Sequence, residues 1–555
     1  MALCFHHFVL HNHQLYLIAS CIPHSNAQAS SWKAVSRAAC KLREDGVTLA
    51  HAAADENLQQ LAALGGGDAT HVERDAYRRL GTPDLLKPVF IPLPVVIKKK
   101  SQTVLWPILP PHHVMAYLEQ DGRLSDLVGD LNLDSFWAKA NSQDWHRNPD
   151  LNDAVHCIPV KVFGDDAGAY KEYPVCVISW SGLSHPSGST LDAKLLFCAI
   201  PTARHHVTSA GNLTLQAVGA YLAWSLNQME VGIWPANDPF SGQTYMQQGS
   251  RIASQWSAKL VMFTGDLKFF AQWFQFAGNY QRVRMCFYCA AKKSRCEYRF
   301  CGGTAWQDSR VSTEQYLETC RQPFCLTLRG FSLSMVQLDL LHIVYLGLGE
   351  DVCASALLNM NQPLALLYAQ FVEWCKSHQY YCQTPVDKFE MLGKKAVRLY
   401  PHMSFVKGFD CRMCIAWLGT CQLLCPMLQA AVQCLAQTLF VFDCAGVWLT
   451  SKQKARAVKN GLNFVTIWYA LAHRQLSLPA NDFKVRQKMH YFHELILQVQ
   501  RQQPALNPRL ASNFMSEDFV GRVASLAGRC HKRSLAARVL QRWALRLQVK
   551  QKSPL

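Results

Sequence analysis

The sequence predicts an α/β protein, a mixed sheet formed in the order β-β-β-α-β-α and interrupted by a large, mainly helical insertion. Three observations predict it. Residues 155–164, 173–180 and 193–200 are three consecutive β-rich runs, each preceded by turn residues. Residues 212–230 and 267–276 carry apolar side chains at helical spacing on either side of a short β-rich run, 259–265. Residues 350–475 then read as several apolar helices, too many to be a connection and best treated as an inserted domain.

With 555 residues the chain exceeds what one hydrophobic core usually supports. Half of the residues are apolar and 17% are charged, a balance that buries large cores and excludes wholesale disorder. The net charge of +17 is uneven. Residues 451–555 hold 19 Lys and Arg against 4 Asp and Glu, whereas the first 450 hold 37 against 35. A C-terminal excess of this size points to a polyanion, nucleic acid in first place. The 22 Cys lie mostly inside apolar runs, unlike the spacing of a disulfide-stapled secreted domain, so a reducing compartment is expected. His6, His7, His11 and His13 interrupt the apolar start where a secretory signal keeps its hydrophobic stretch clean. No repeat of 20–50 residues is visible, which disfavours a solenoid or propeller.

Residues 1–110 form a poorly defined N-terminal region. Gly65-Gly66-Gly67 and the cluster Pro107, Pro110 and Pro111 read as linker punctuation, with Pro-spaced apolar segments around Lys98-Lys99-Lys100 between them. Residues 111–280 hold the first part of the sheet. The run 155–164 alternates and ends at Asp165-Asp166; the helix 212–230 aligns Leu215, Val218, Tyr221, Leu222 and Leu226 after a cap at Ser209 or Asn212. The run 259–265 delivers Asp266. Residues 281–480 contain Cys286-Phe287-Tyr288-Cys289, a candidate fifth strand at 336–346 that includes Asp339 and His342, and the helical insertion.

The uncharged stretch 413–442 is long enough to span a bilayer, but Gln422, Gln429, Gln433 and Gln437 share one helical face. It reads as a buried amphipathic helix, and no membrane partner is expected. Residues 481–555 are basic helices that complete the sheet domain. Among them, Ser516 is a candidate N-cap before Glu517 and Asp518, and Gly521 and Ser525 lie on the Glu517 stripe, a small-residue face suited to close approach to a sheet.

Two aspartates at strand ends and one glutamate on a late helix are the ligand set for a pair of Mg2+ or Mn2+ ions. Two such ions, about 3.5 to 4 Å apart, stabilise the attacking and leaving oxygens of an in-line phosphoryl displacement. No glycine-rich phosphate loop is present: Gly302-Gly303 lacks a following Lys-Ser/Thr, so nucleotide-driven motors are disfavoured.

The ordered combination of Phe163-Gly164-Asp165, Gly265-Asp266, the CxxC at Cys286 and Cys289, Asp339-Leu340-Leu341-His342 and the Ser516-Glu517 helix resembles a DDE transposase with an RNase H-like core. It is most similar to the CACTA (En/Spm)-type cut-and-paste transposases and related transposase-like open reading frames, over roughly residues 130–545. The resemblance implies Asp165, Asp266 and Glu517 as the first, second and third carboxylates, with Asp339 and His342 matching a DxxH string that follows the second Asp. Asp166 competes with Asp165, Asp518 competes with Glu517, and no N-terminal DNA-binding finger is recognisable.

The implied function is DNA strand cleavage and strand transfer in the nucleus, with DNA and a homo-oligomeric copy as partners. The alternative is a DNA-binding protein derived from a transposase whose chemistry has decayed.

CxxC is half of a tetrahedral Zn2+ site. Cys296 with Cys301, Asp339 with His342, or His490 with His493 are candidates for the other half. The last resembles the antigen-receptor recombinase, in which such a His pair and a CxxC share one structural zinc. Cys411 and Cys414, also CxxC, read as core thiols among Cys421, Cys425 and Cys434. DNA contacts are expected from Lys488, Arg522, Lys532, Arg533, Arg538, Arg542 and Arg546, with Trp543, Tyr491 and Phe492 as candidates for base stacking.

Overall fold

A computed structural model describes residues 81–549, apart from 147, 149–152, 171–172, 185–189, 294–305, 320–322, 391–399, 404–405, 476–482 and 532. It opens on a hairpin, β1 (Val89–Ile97) and β2 (Lys100–Ile108), where linker punctuation was expected. Pro107 lies inside β2, and Pro110 and Pro111 start helix α1 (Pro111–Gln120), where a missing N–H costs nothing. The two-residue turn puts both Lys98 and Lys99 at positive φ, the geometry a tight hairpin of this twist requires. Leu109 donates its N–H to the Phe197 carbonyl, which ties the hairpin to the main sheet. After α1 comes helix α2 (Leu133–Ala140), capped by Asn132.

The main sheet contains β3 (Cys157–Tyr170), β4 (Tyr173–Gly182), β5 (Leu195–Pro201) and β6 (Ser257–Gly265), in the spatial order β5-β4-β3-β6. β3, β4 and β5 pair antiparallel, and β6 runs parallel to β3. The molecule is thus α/β with a mixed sheet, in the predicted element order. Between β5 and β6 runs helix α3 (Leu213–Val231), capped by Asn212 rather than Ser209 and closed at Gly232 in the left-handed conformation. All nine residues of β6 are buried, as fits a parallel strand covered on both faces and explains its lack of alternation. Helix α4 (Leu267–Trp273) follows directly.

Gly182, the last residue of β4, has no room for a side chain: a Cβ there would meet the backbone carbonyl of Leu127. Backbone yields less readily than a side-chain tip, so Gly182→Ala is expected to cost about 1–3 kcal/mol, read as a lower thermal midpoint. An unchanged midpoint would show that the segment around Leu127 shifts freely.

The predicted fifth strand at 336–346 is not a strand. Val336 makes one parallel bridge to Phe263 of β6, and the chain then winds into helix α5 (Leu341–Leu348), of π type. The apolar run that suggested a strand is buried because this helix is enclosed on all sides. α5 kinks at Leu346 and Gly347 before α6 (Gly349–Asn359). The kink frees carbonyls that Lys488 and Arg486 satisfy, at 2.5 Å to Leu346 and 2.8 Å to Gly347.

The insertion continues through α7 (Leu364–Ser377), α8 (Gly408–Leu418), α9 (Pro426–Cys444) and α10 (Ser451–Gln475). The single helix expected over 413–442 is therefore two, broken between Leu418 and Pro426. Gln422 lies in the break, and Gln433 and Gln437 face solvent. The stretches Leu341–Asn359 and Pro426–Cys444 are long and apolar enough to cross a membrane, with 83% and 44% of their most apolar windows buried inside the protein.

Three helices complete the chain: α11 (Gln487–Arg501), α12 (Phe514–Gly528) and α13 (Leu535–Val549). α12 packs on β3 and β4, and α13 on β5 and β2. Asn513, not Ser516, precedes α12. The proposed small-residue face is also turned the other way: Gly521 and Ser525 are exposed, and Val520, Val523, Ala524 and Ala527 are buried.

Candidate active site and thiol cluster

The parallel register of β3 and β6 ends at Gly164 opposite Gly265, so Asp165 and Asp266, 101 residues apart in sequence, are the next positions on neighbouring strands. The two backbones then part. β3 continues antiparallel to β4 as far as Tyr170, which places Asp165 inside the strand rather than at its end. After Gly265 the chain turns into α4. There Asp266 is the N-cap and accepts the Phe269 N–H at 2.5 Å.

Alternation along β3 puts Lys161, Phe163 and Asp165 on one face and Gly164 and Asp166 on the other. The Phe269 ring fills the space a Gly164 side chain would need. Asp166 pairs with Lys268 at 3.0 Å, and Asp165 looks toward α12, so the choice between the two aspartates falls to Asp165.

Glu517 reaches the site from the first turn of α12. Two contacts hold the entry to that helix: the buried Lys161 ammonium donates to the Leu510 carbonyl at 2.9 Å, and Asp339 accepts the Asn513 N–H at 2.9 Å. Asp518 is exposed and pairs with Arg522 at 2.8 Å, which leaves Glu517 as the inward carboxylate.

His342 joins Asp165 and Glu517, with one ligating atom of each within 4.8 Å of the others. Its Nδ1 is 2.6 Å from an Asp339 oxygen, and its Nε2 is 3.6 Å from Glu517. The third member of the tight cluster is therefore His342. Asp266 stands outside it, close enough to feel the charges of Asp165 and His342. His342 belongs to this cluster, with Asp339 bonded to its Nδ1, and neither is grouped with the cysteines, which corrects their candidacy as zinc ligands.

The electrostatics describe a site short of positive charge. Burial first, then Asp165, pushes the Glu517 carboxyl well above its usual range. Burial and Asp165 also raise Asp266, against the opposing Phe269 hydrogen bond. Burial opposes charge on His342, yet its bond to Asp339 and the fields of Asp339, Glu517 and Asp266 lift it to about 9. Glu517 Oε1 is buried with no hydrogen-bond partner. Hard oxygens, one imidazole nitrogen and a buried carboxylate oxygen without a hydrogen bond fit a divalent cation of the Mg2+ or Mn2+ kind.

A second cluster forms between the loop after α4 and α11. Cys286, Cys289 and His490 bring ligating atoms within 4.8 Å of one another, and Cys289 Sγ lies 3.4 Å from His490 Nε2. The Tyr288 N–H reaches Cys286 Sγ at 3.4 Å, and Tyr491 donates its hydroxyl to the Met285 carbonyl. The hydrogen bond with Cys286 pulls the Cys289 thiol down, burial opposes, and His490 adds to the pull. Two thiols and an imidazole are a soft donor set that fits Zn2+.

His493, one turn along α11, is outside the cluster. It is buried edge-on to Trp306, its Nδ1 has no hydrogen-bond partner, and burial lowers it to about 4. Cys296 and Cys301 lie outside the described residues. Cys411 and Cys414 are buried in α8, as core thiols should be.

The expected basic ridge is partly occupied within the fold. Lys488 is committed to the α5 kink, Arg522 to Asp518, and Arg542 donates to the Leu526 carbonyl at 3.4 Å. Trp543, Tyr491 and Phe492 are buried and cannot stack on bases. Arg533 and Arg538 are exposed, Arg546 is half-buried, and Lys532 lies outside the described residues.

The cations that the sequence reading passed over are on α10. Lys452, Arg456 and Lys459 are exposed, and the helix carries no Asp or Glu. An acid-free run of 25 residues was the available signal. A comparison of the chain with protein-family models finds no match, and neither does a comparison with curated proteins.

Proposed function

We propose that this chain is a metal-dependent polynucleotidyl transferase of the DDE transposase type, cutting DNA strands and joining a 3′-hydroxyl to a target. The observation that carries this reading is the meeting of Asp165, His342 and Glu517, drawn from the sheet, the segment after it and a helix 352 residues beyond Asp165. The strand order β5-β4-β3-β6, with three antiparallel strands and a parallel fourth, supports an RNase H-like core. So does the emergence of Asp165 and Asp266 at the last paired rung of its two parallel strands. The CACTA-type resemblance agrees with the helical insertion between second and third carboxylates.

Asp165 and Glu517 would hold Mg2+ or Mn2+, with Asp266 alongside. Bound ions of this kind polarise a phosphoryl oxygen and activate water or a 3′-hydroxyl. The chain's own residues hold the geometry. Asp339 fixes the His342 ring through Nδ1 and aims Nε2 at Glu517, while Lys161 and Asp339 anchor the entry to the Glu517 helix. Zn2+ on Cys286, Cys289 and His490 would tie the loop after Asp266 to α11, upstream of the same glutamate.

A second reading, a DNA-binding protein with decayed chemistry, is favoured by Asp266, whose carboxylate caps α4 outside the tight cluster. Incubation of supercoiled plasmid with the protein separates the two. Nicking in Mn2+ that EDTA abolishes is expected; DNA binding with no nicking under any divalent ion would leave the second reading.

A further inference from the structure

We propose that the exposed basic stripe on the N-terminal half of α10, together with the groove it borders against α2, is where this protein grips the phosphodiester backbone of a DNA duplex. The inference rests on the polynucleotide reading above and assigns it a surface. The groove, of about 830 Å3, is lined by Lys139 of α2, by Lys454 and Lys459 of α10, and by the Gln503-Pro504 segment that leads toward α12. Lys454 holds one wall in place by donating to the Gln502 carbonyl at 2.6 Å. Beside it, Lys452, Arg456 and Lys459 recur at spacings of four and three and share one exposed stripe.

The placement of these charges runs against local helix physics. Unsatisfied N–H groups make a helix N-terminus positive, so acids are favoured there and cations disfavoured. α10 begins Ser451-Lys452-Gln453-Lys454 and adds Arg456 and Lys459 within the next turns, with no acid in the whole helix. No carboxylate within the fold offsets Lys452, Arg456 or Lys459 among the described residues. Breaches of a local rule gather where a partner supplies what the fold lacks. Here the missing element is a row of anions.

Lys452 and Lys459 are seven residues apart, about 10 Å along the helix axis, which matches about three nucleotide steps of one strand of a duplex. Side-chain amides of Gln500 and Gln503 on the groove wall suit phosphate oxygens as hydrogen-bond donors. Such contacts position a strand without reading its bases, a role the buried residues of the C-terminal ridge cannot serve.

The test uses the full chain with Lys452→Gln, Arg456→Gln and Lys459→Gln combined. Binding of a fluorescent duplex of mixed sequence is followed by anisotropy in EDTA, so that no cleavage intervenes, over a range of salt. The variant is expected to bind about tenfold or more weakly, with a salt slope lower by about 3. Its thermal midpoint should stay equal to that of the wild type or rise, which separates lost contacts from misfolding.

Equal affinity and slope in both proteins would overturn the α10 stripe as the DNA contact while leaving the polynucleotide reading in place. A wild type that does not bind duplex DNA would overturn both. Equal affinity of the wild type for polyglutamate, with the same salt slope, would overturn the assignment to DNA.

Discussion

Asp165→Asn is expected to lower Mn2+-dependent nicking by roughly 10²–10³-fold or more, the scale set by removing one charge-stabilising group from a preorganised site. Glu517→Gln should do the same. Both carboxylates lie in the same cluster of hard donors, and Glu517 Oε1 has no hydrogen bond to lose, only the longer contact to His342 at 3.6 Å. Neither change should unfold the protein. With burial and Asp165 both resisting ionisation of Glu517, the uncharged amide relieves a repulsion the metal-free site carries, so the thermal midpoint without metal should hold or rise.

Asp266→Asn is the sharper probe. Asparagine caps a helix about as well as aspartate, so the bond to the Phe269 N–H survives and only the charge is lost. Loss of nicking in that variant would bring Asp266 into the metal-binding set. Full activity would confine the site to Asp165, His342 and Glu517. Wild-type activity in Asp165→Asn or Glu517→Gln would remove the carboxylate reading altogether.

The parts of this site that the sequence announced were those governed by short-range rules. Strand alternation and turn residues located β3, β4 and β5, and the glycine-aspartate pairs marked where β3 and β6 stop pairing. Glu517 stood out as an acid in a basic tail. Other features depend on tertiary context. A tight two-residue hairpin is usually announced by Asn-Gly or Asp-Gly, but Lys98 and Lys99 occupy its positive-φ positions, and Pro92, Pro94 and Pro107 sit within the paired strands. The result looked like a linker.

Enclosure explains the error at 336–346. A helix buried on every side loses the polar face that distinguishes it from a central strand. His342 was read as part of a motif and as a spare zinc ligand, because spacing cannot say which of two clusters a loop will meet. The C-terminal basic ridge is only partly free for a related reason. Charge counted along a chain does not separate cations that satisfy kinked carbonyls, such as Lys488, from those left in solvent, such as Arg456.

Cys286→Ser is expected to release one zinc ion per chain and to lower the thermal midpoint by at least about 5 °C. Structural zinc contributes on the order of 10 kcal/mol or more to the folding of small zinc modules, and a loss of ~1 kcal/mol moves the midpoint of a domain of 150–250 residues by about 2–4 °C. The segment that holds Cys286 and Cys289 has little regular structure of its own; a short bridge between Arg284 and Lys292 closes it, another joins Cys289 to Arg310, and Tyr491 and His490 reach it from α11. Cross-linking it to α11 by a metal would fix the chain on both sides of the insertion.

His490→Ala should match Cys286→Ser, whereas His493→Ala should keep the metal, since only His490 shares the cluster with the thiols. Metal content after dialysis, read by atomic emission, decides it. Zinc retained at one per chain in Cys286→Ser would dismiss the thiol centre. Zinc lost from His493→Ala as well would make His493 the fourth ligand, brought in by a turn of its ring toward the ion.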